Sequence, residues 1–381
     1  MIDRLTISNF KAFASADIRL APYTLLSGLN SSGKSTVLQA LALLRQAKVQ
    51  GLLHDNEGGG IPLNGDLVEL GTGQDVLHEE HVTAPGAHPE IGFRLSAESV
   101  LPYEWRARYG REDDLLPLMV CEPPGSARDF SDEDETAFTL FNQGFQYLRA
   151  DRINPAVTYP RSHEMSVRRG FLGVRGEYTI DYLRHYQDDA VPFAALHHPE
   201  ASPRLLDQAE AWMSAICPGV RIHAEAIERT DLVRLGFQFT RAGKLTTGQH
   251  RPTHVGFGLT YVLPVIVACL TARPGSMILV ENPEAHVHPQ GQSAMARLTC
   301  AAASIGAQLV VETHSDHILN GVRLAVKRGL IPADDVVLHY FRREDDGIRI
   351  QSPVMGPDGM LSHWPEGFFD EWDRSLDELL G

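Results

Sequence analysis

The sequence predicts an α/β fold with a phosphate-binding loop at its centre, and three stretches carry the prediction. Residues Gly28 to Thr36 read Gly-Leu-Asn-Ser-Ser-Gly-Lys-Ser-Thr and match G-x-x-x-x-G-K-[ST]. Met277 to Glu281 is an apolar run of strand length that ends in a carboxylate. Gln308 to Ser315 is a second such run, ending in polar residues. Fully buried parallel strands have this near-continuous apolar character.

The loop stands in the context its chemistry requires. Tyr23 to Ser27 reads as a strand before it, and Val37 to Leu44 as a helix after it. Its glycines, Gly28 and Gly33, let backbone N–H groups of Leu29, Asn30, Ser31 and Ser32 turn toward an anion, and the helix adds its positive N-terminal end. Lys34 is placed to reach the β/γ-phosphates and Ser35 to place its hydroxyl on Mg²⁺. A bound nucleoside triphosphate is the expectation.

With 381 residues, the chain has room for one large domain or two ordinary ones. Its 43% hydrophobic and 22% charged residues describe an ordinary globular composition. A net charge of -15 argues against a surface that coats nucleic acid, while leaving room for a local basic patch. Cys121, Cys217, Cys269 and Cys300 are scattered without a C-x-x-C pair, which suits thiols in a reducing compartment. The N-terminus lacks an apolar core of signal-peptide length, and Leu259 to Leu270 is too short to span a bilayer. The expected location is cytoplasmic.

In chain order, Leu5 to Phe13 and Ala16 to Leu20 read as two strands with a tight connection. Asn64-Gly65 is a turn signal between short strands. Gln74 and Asp75 fall in a loop that either approaches the nucleotide or is a plain surface turn. Ile91 to Leu95 and Tyr103 to Tyr109 read as strands of a meander. The acidic run Asp129 to Glu135 reads as a solvated loop. Gln146 to Ala150 reads as a buried strand, after which Arg152 either contacts a phosphate or pairs with an acid such as Asp151. Ser202 to Ile216 is an amphipathic helix.

Val233 to Thr240 reads as a strand, and Gly256, Phe257 and Gly258 open an apolar helix from Leu259 to Leu270. Two glycines at a helix start serve either anion binding or close helix packing. Glu281, at the C-terminal edge of a buried strand, is placed to hold Mg²⁺ directly or through water. His286 and His288 stand between Pro283 and Pro289 without further ligands at metal spacing. A helix from Gln290 to Ser304 precedes the strand at Gln308, and His314 at that strand's end is placed to donate to a γ-phosphate. A helix from His317 to Arg328, strands around Val336 to Phe341 and Ile348 to Ile350, and an aromatic, acidic tail complete the chain.

These stretches together resemble the RecF/SMC/OLD-type group of ABC-like ATPase heads, and in particular bacterial AAA ATPases with a short C-terminal domain of unassigned function and no nuclease. The resemblance rests on LTISNFKAF, GLNSSGKST, LNGDLVELG, HVGFGLTYVLP, ILVENPEAHVHP, ETHSDHILNGVRLA and EGFFDEW, in that order between residues 5 and 372. It implies an ABC/SMC-like P-loop NTPase head of two lobes, with mixed and parallel sheets flanked by helices, plus an α+β insertion. The implied divisions are residues 1–84 for lobe I, 85–235 for the insertion or a continuation of lobe I, 236–345 for lobe II, and 346–381 for the tail.

Carried over, Gly28 to Thr36 form the Walker A loop, and Met277 to Glu281 the Walker B strand with Glu281 at the Mg²⁺-associated position. Gly256 to Gly258 correspond to a trans-acting signature loop, His314 to the switch histidine, His286 to Pro289 to a dimer-contacting turn, and Gln74 to the glutamine that contacts Mg²⁺ and senses water. Asn282 stands where the usual Walker B ends in Glu, and an amide cannot act as general base. Either Glu281 or Glu284 does that work, or hydrolysis is slow and nucleotide serves as a clamp. The resemblance thus implies an ATP- and Mg²⁺-dependent switch whose heads pair head to tail, as a dimer or higher oligomer. Its output would pass through a separately encoded effector, in anti-phage defence or DNA maintenance. A scaffold with negligible turnover and a RecF-like DNA-binding ATPase, using the basic stretch Arg161 to Arg175, are the alternatives.

Overall fold

The computed structural model describes residues 1–54, 58–81, 88–98, 100–122, 137–240, 247–345, 347–369 and 371–380. The acidic run Asp129 to Glu135 lies outside them.

The chain opens with β1 (Ile2–Phe10) and β2 (Phe13–Arg19), an antiparallel hairpin in which Leu5 faces Ile18 and Ile7 faces Ala16. The continuous strand expected through Phe13 is instead broken at Lys11. Asn9 and Lys11 take positive φ angles of 54° and 47°, and the reversal pairs Phe10 with Phe13, both buried. Two aromatics held on one core face outweigh the cost of the left-handed backbone.

Next come β3 (Tyr23–Gly28), the glycine loop, α1 (Lys34–Val49), β4 (Gly60–Pro62) and the single-turn α2 (Gly73–Val76). A meander follows, β5 (Glu90–Ala97), β6 (Val100–Arg108) and β7 (Leu115–Glu122). It joins the first hairpin in a six-stranded sheet ordered β2-β1-β5-β6-β7-β4. In β6, Tyr103, Trp105 and Ala107 are buried while Arg106 and Arg108 face out, the period of two expected of a half-buried strand. Residues from 90 to 122 are thus part of the sheet that begins at the N-terminus.

The chain then adds β8 (Gln146–Leu148), β9 (Thr158–Pro160), α3 (Thr179–Tyr186), α4 (Leu205–Ser214), β10 (Val220–Ala226) and β11 (Leu232–Phe239). Strands β10, β11 and β9 form a separate three-stranded antiparallel sheet. The last part comprises α5 (Phe257–Leu270), β12 (Met277–Glu281), α6 (Pro289–Ser304), β13 (Gln308–Glu312), α7 (Asp316–Lys327), β14 (Val336–Glu344), β15 (Gly347–Gln351) and α8 (Glu371–Leu380).

The central sheet is ordered β15-β14-β3-β13-β12-β8, and every pair in it is parallel except β14 with β15. Its two faces bury different cores. Leu26, Leu279, Val310 and Phe341 pack with α1 and the N-terminal sheet. Leu25, Ile278, Val280, Leu309 and Leu338 pack with α5, α6 and α7. Both faces being covered explains why these strands read as unbroken apolar runs. In the tail, Phe368 is buried against Tyr340. Among the described residues, no helix is long and apolar enough to cross a membrane.

Candidate phosphate-binding site

Parallel strands place their C-terminal ends on one edge, and ligands bind outside that edge. Here β3 ends in the glycine loop, while the register sets Glu281 beside Glu312 and Glu312 beside Leu26. The loop needs its glycines. Gly28 has φ 144°, and a Cβ there would come within 2.2 Å of the Phe341 carbonyl oxygen. Gly33 has φ 93°, with Phe13 Cζ 2.8 Å from where a Cβ would sit. Leu29, Asn30 and Ser31 are exposed, Ser32 and Thr36 are buried, and Ser32 Oγ donates to the Leu29 carbonyl at 2.7 Å.

Lys34 is folded back into this loop. Its ammonium donates to the Gly28 and Leu29 carbonyls at 3.1 and 2.7 Å and lies 3.9 Å from Glu312 Oε1. Burial lowers its pKa, with Glu312 acting in the opposite sense. Ser35 Oγ donates to Glu312 Oε1 at 3.1 Å. Burial, and then the neighbouring Glu281, push the Glu312 carboxyl up to about 7.

Glu281 faces the other way. Its Oε1 accepts from the Tyr147 hydroxyl at 2.6 Å and its Oε2 from the Ala150 N–H at 2.9 Å. Asn282 follows with φ 45°, and its N–H donates to the Glu312 carbonyl at 2.8 Å. Glu284 Oε1 accepts the His314 N–H at 2.8 Å, and burial raises its pKa. The His314 ring meets the Gly28 carbonyl, and its pKa is lowered by burial and by Lys34. Lys34, Ser35, His314 and Glu284 therefore surround the loop, together with Glu312.

Other expected residues lie elsewhere. Gln74 is exposed on α2 and reaches Arg111 at 3.5 Å. Its helix is tied to the β1–β2 turn through the Lys11 N–H and Val76 carbonyl, 2.7 Å apart. Gly256 caps α5, and Phe257 is 52% exposed. A Cβ on Gly258 would meet the His286 carbonyl at 2.5 Å, whereas one on Gly256 meets nothing within 4 Å. Gly258 thus serves close packing, and Gly256 leaves the helix start open. Among the described residues, Arg152 forms no ion pair with Asp151. It is buried and donates to the Arg149, Glu281 and Asn282 carbonyls at 3.1, 2.7 and 2.5 Å. Asp151 pairs instead with Arg149.

The donor set suits Mg²⁺. A hydroxyl and a strand-end carboxylate are oxygen donors of the kind this hard cation takes alongside phosphate oxygens, and it seldom uses an all-protein cage. Glu312 Oε2 is buried without a hydrogen-bond partner among the described residues, an acceptor that a cation or its water would satisfy. The described residues contain no group of three or more His, Cys, Asp and Glu spaced for metal binding. Sequence reading passed over Glu312. Its signal was the shared ending of the two apolar runs, Leu-Val-Glu in β12 and Val-Val-Glu in β13.

The chain has the fold of SMC-type P-loop NTPase heads. Its backbone is similar to the SMC head bound to the C-winged helix domain of ScpA, at 14% identity and TM-score 0.52, over 92% of this chain and 97% of that one. It is likewise similar to the Smc head domain with an extended coiled coil bound to the C-terminal domain of ScpA from Pyrococcus furiosus, at 12% identity and TM-score 0.51, over 100% and 99% of the two chains. Sequence profiles match in succession: an AAA ATPase domain over residues 1–80, an AAA domain described as putative AbiEii toxin, Type IV TA system, over 222–320, and a protein of unknown function, DUF3696, over 331–379. No curated protein matches the chain. These likenesses support an ABC/SMC-like AAA ATPase that ends in a short domain of unassigned function.

Proposed function

We propose that the chain is a Mg²⁺-dependent ATP-binding switch that hydrolyses ATP slowly, pairs head to tail around the nucleotide, and regulates a separately encoded effector in anti-phage defence or DNA maintenance. The observation that carries this reading is the formed phosphate loop, with Lys34 and Ser35 beside a strand-end carboxylate. Lys34 exchanges the Gly28 and Leu29 carbonyls for phosphate oxygens. Ser35 turns its hydroxyl oxygen to the cation, with a carboxylate from β12 or β13 beside it. Bound Mg²⁺ would neutralise phosphate charge and hold the phosphate chain in place. His314, joined to Gly28 and through its N–H to Glu284, is placed to sense the γ-phosphate.

Pairing is supported by the exposed Phe257 and the open Gly256 at the start of α5, where backbone N–H groups await an anion from a second copy. Loss of a shared γ-phosphate contact then loosens the pair. Slow turnover follows from the acids. Asn282 is an amide, and both Glu281 oxygens are occupied, so Glu284 is the remaining sequence-expected base. The scaffold reading draws on the same residue, Asn282. The DNA reading is weakened by neutralised charge, because Arg168 and Arg169 both pair with Glu164, and Arg175 with Asp151.

ATP turnover and nucleotide binding of the purified chain, beside Lys34→Ala and Ser35→Ala, test the proposal. Each substitution should cut turnover about 100-fold or more. Tight binding without turnover in the parent chain would replace the ATPase with a clamp, and absence of binding would end the reading.

A further inference from the structure

The two strand-end acids have different partners. Glu281 is held by its own framework, with one oxygen on the Tyr147 hydroxyl and the other on the Ala150 N–H. Glu312 points into the loop. One oxygen accepts from Ser35 and lies 3.9 Å from the Lys34 ammonium. The other, Oε2, has no hydrogen-bond partner among the described residues and is buried. Strand order explains the difference. β13 is the immediate neighbour of β3, and β12 is one strand further away, so its backbone stands roughly 10 Å from that of β3.

We propose that Glu312, and not Glu281, is the carboxylate that holds the cation beside Ser35, and that it opposes phosphate entry until that cation is present. The assignment rests on the nucleotide-binding reading above. Ser35 and Lys34 are the two side chains that must release Glu312 when phosphate and cation arrive. Without a cation, a phosphate chain entering the loop brings negative charge against Glu312, with Glu281 on the adjacent strand and Lys34 as the facing cation. With a cation, the same carboxylate becomes an attractive partner, and its free oxygen gains a ligand. Asn282 Oδ1, also buried without a partner, lies on the segment whose N–H bonds the Glu312 carbonyl, where a cation-bound water would supply its donor. Glu281 in this division is a positioning residue that fixes the end of β12 to β8.

The experiment is binding of a fluorescent ATP analogue to the full chain, in excess Mg²⁺ and in EDTA, for the parent, Glu312→Gln and Glu281→Gln, with thermal unfolding of each. Titration of Mn²⁺ followed by electron paramagnetic resonance gives a direct metal readout. In Glu312→Gln, affinity in EDTA should rise, the gain from Mg²⁺ should shrink about 10- to 100-fold, and Mn²⁺ retention should fall alongside. Glu281→Gln should keep the Mg²⁺ gain and lower the unfolding midpoint instead. A parent-like Mg²⁺ gain in folded Glu312→Gln, or loss of that gain in Glu281→Gln alone, overturns the assignment and leaves ATP binding intact. If the parent binds the analogue in neither condition, the functional reading fails and this assignment with it.

Discussion

Ser35 Oγ and Glu312 Oε1 are 3.1 Å apart, although 277 residues of chain separate them. The bond ties the first turn of α1 to the tip of β13. It closes the phosphate loop onto the strand that carries His314 at its end, so the Ser35 hydroxyl is joined directly to that segment.

The two glycines at the start of α5 should respond differently to a methyl group. Gly258→Ala places a Cβ 2.5 Å from the His286 carbonyl, and should cost about 1–3 kcal/mol by overpacking. Gly256→Ala meets open space at a φ of -60° and ψ of 138°, and should stay within about 0.5 kcal/mol of the parent. Urea unfolding of both variants checks the contrast, and equal stability of the two would refute it.

Tyr147→Phe removes the donor to Glu281 Oε1 and leaves a buried carboxylate oxygen without a partner. A loss of about 1–3 kcal/mol is expected, read from the unfolding midpoint. The Tyr147 hydroxyl itself is held far above its ordinary pKa by burial and by Glu281, so the bond keeps its proton on the tyrosine across the working pH range.

Arg152→Lys should be destabilising despite retaining the charge. The guanidinium spans three carbonyls and lies over the Tyr261 ring, 5.5 Å from its centre. Burial lowers its pKa to about 10, which leaves it cationic at neutral pH. An ammonium cannot reproduce that planar fork, and about 2–3 kcal/mol should be lost. Hydrogen exchange should rise at the turn after β12. Unchanged exchange there would mean that the turn holds without Arg152.

His339 gives the fold an acid-sensitive point. Its ring is buried between the Ser352 hydroxyl and the Arg19 carbonyl, each at 2.7 Å. The neutral form that donates from Nε2 to Arg19 and accepts at Nδ1 from Ser352 satisfies both. Burial lowers its pKa. The unfolded chain therefore protonates first as pH falls, and this contribution to stability is complete above about 6.5 and lost progressively below it. The unfolding midpoint of His339→Gln should fall less than the parent's between pH 7 and pH 5. Parallel pH profiles would remove His339 as the cause.

Local pattern was enough to find the loop, the apolar strands β3, β12 and β13, and the helices that follow them. Each depends on periodicity or on backbone freedom within a few residues, and those are properties of contiguous sequence. Pattern also supplied Glu281, without saying which way it faces, and passed over Glu312. Glu281 and Glu312 end similar runs, and their roles differ because strand order sets one next to β3 and the other next to β8. Tyr147, 134 residues before Glu281, and Arg152, 129 residues before it, then occupy what would otherwise be free polar groups. The turn at Lys11 likewise needed the packed pair Phe10 and Phe13 to place it. Side-chain direction at a sheet edge is decided by neighbours distant in sequence, and long-range pairing is the information that local spacing does not contain.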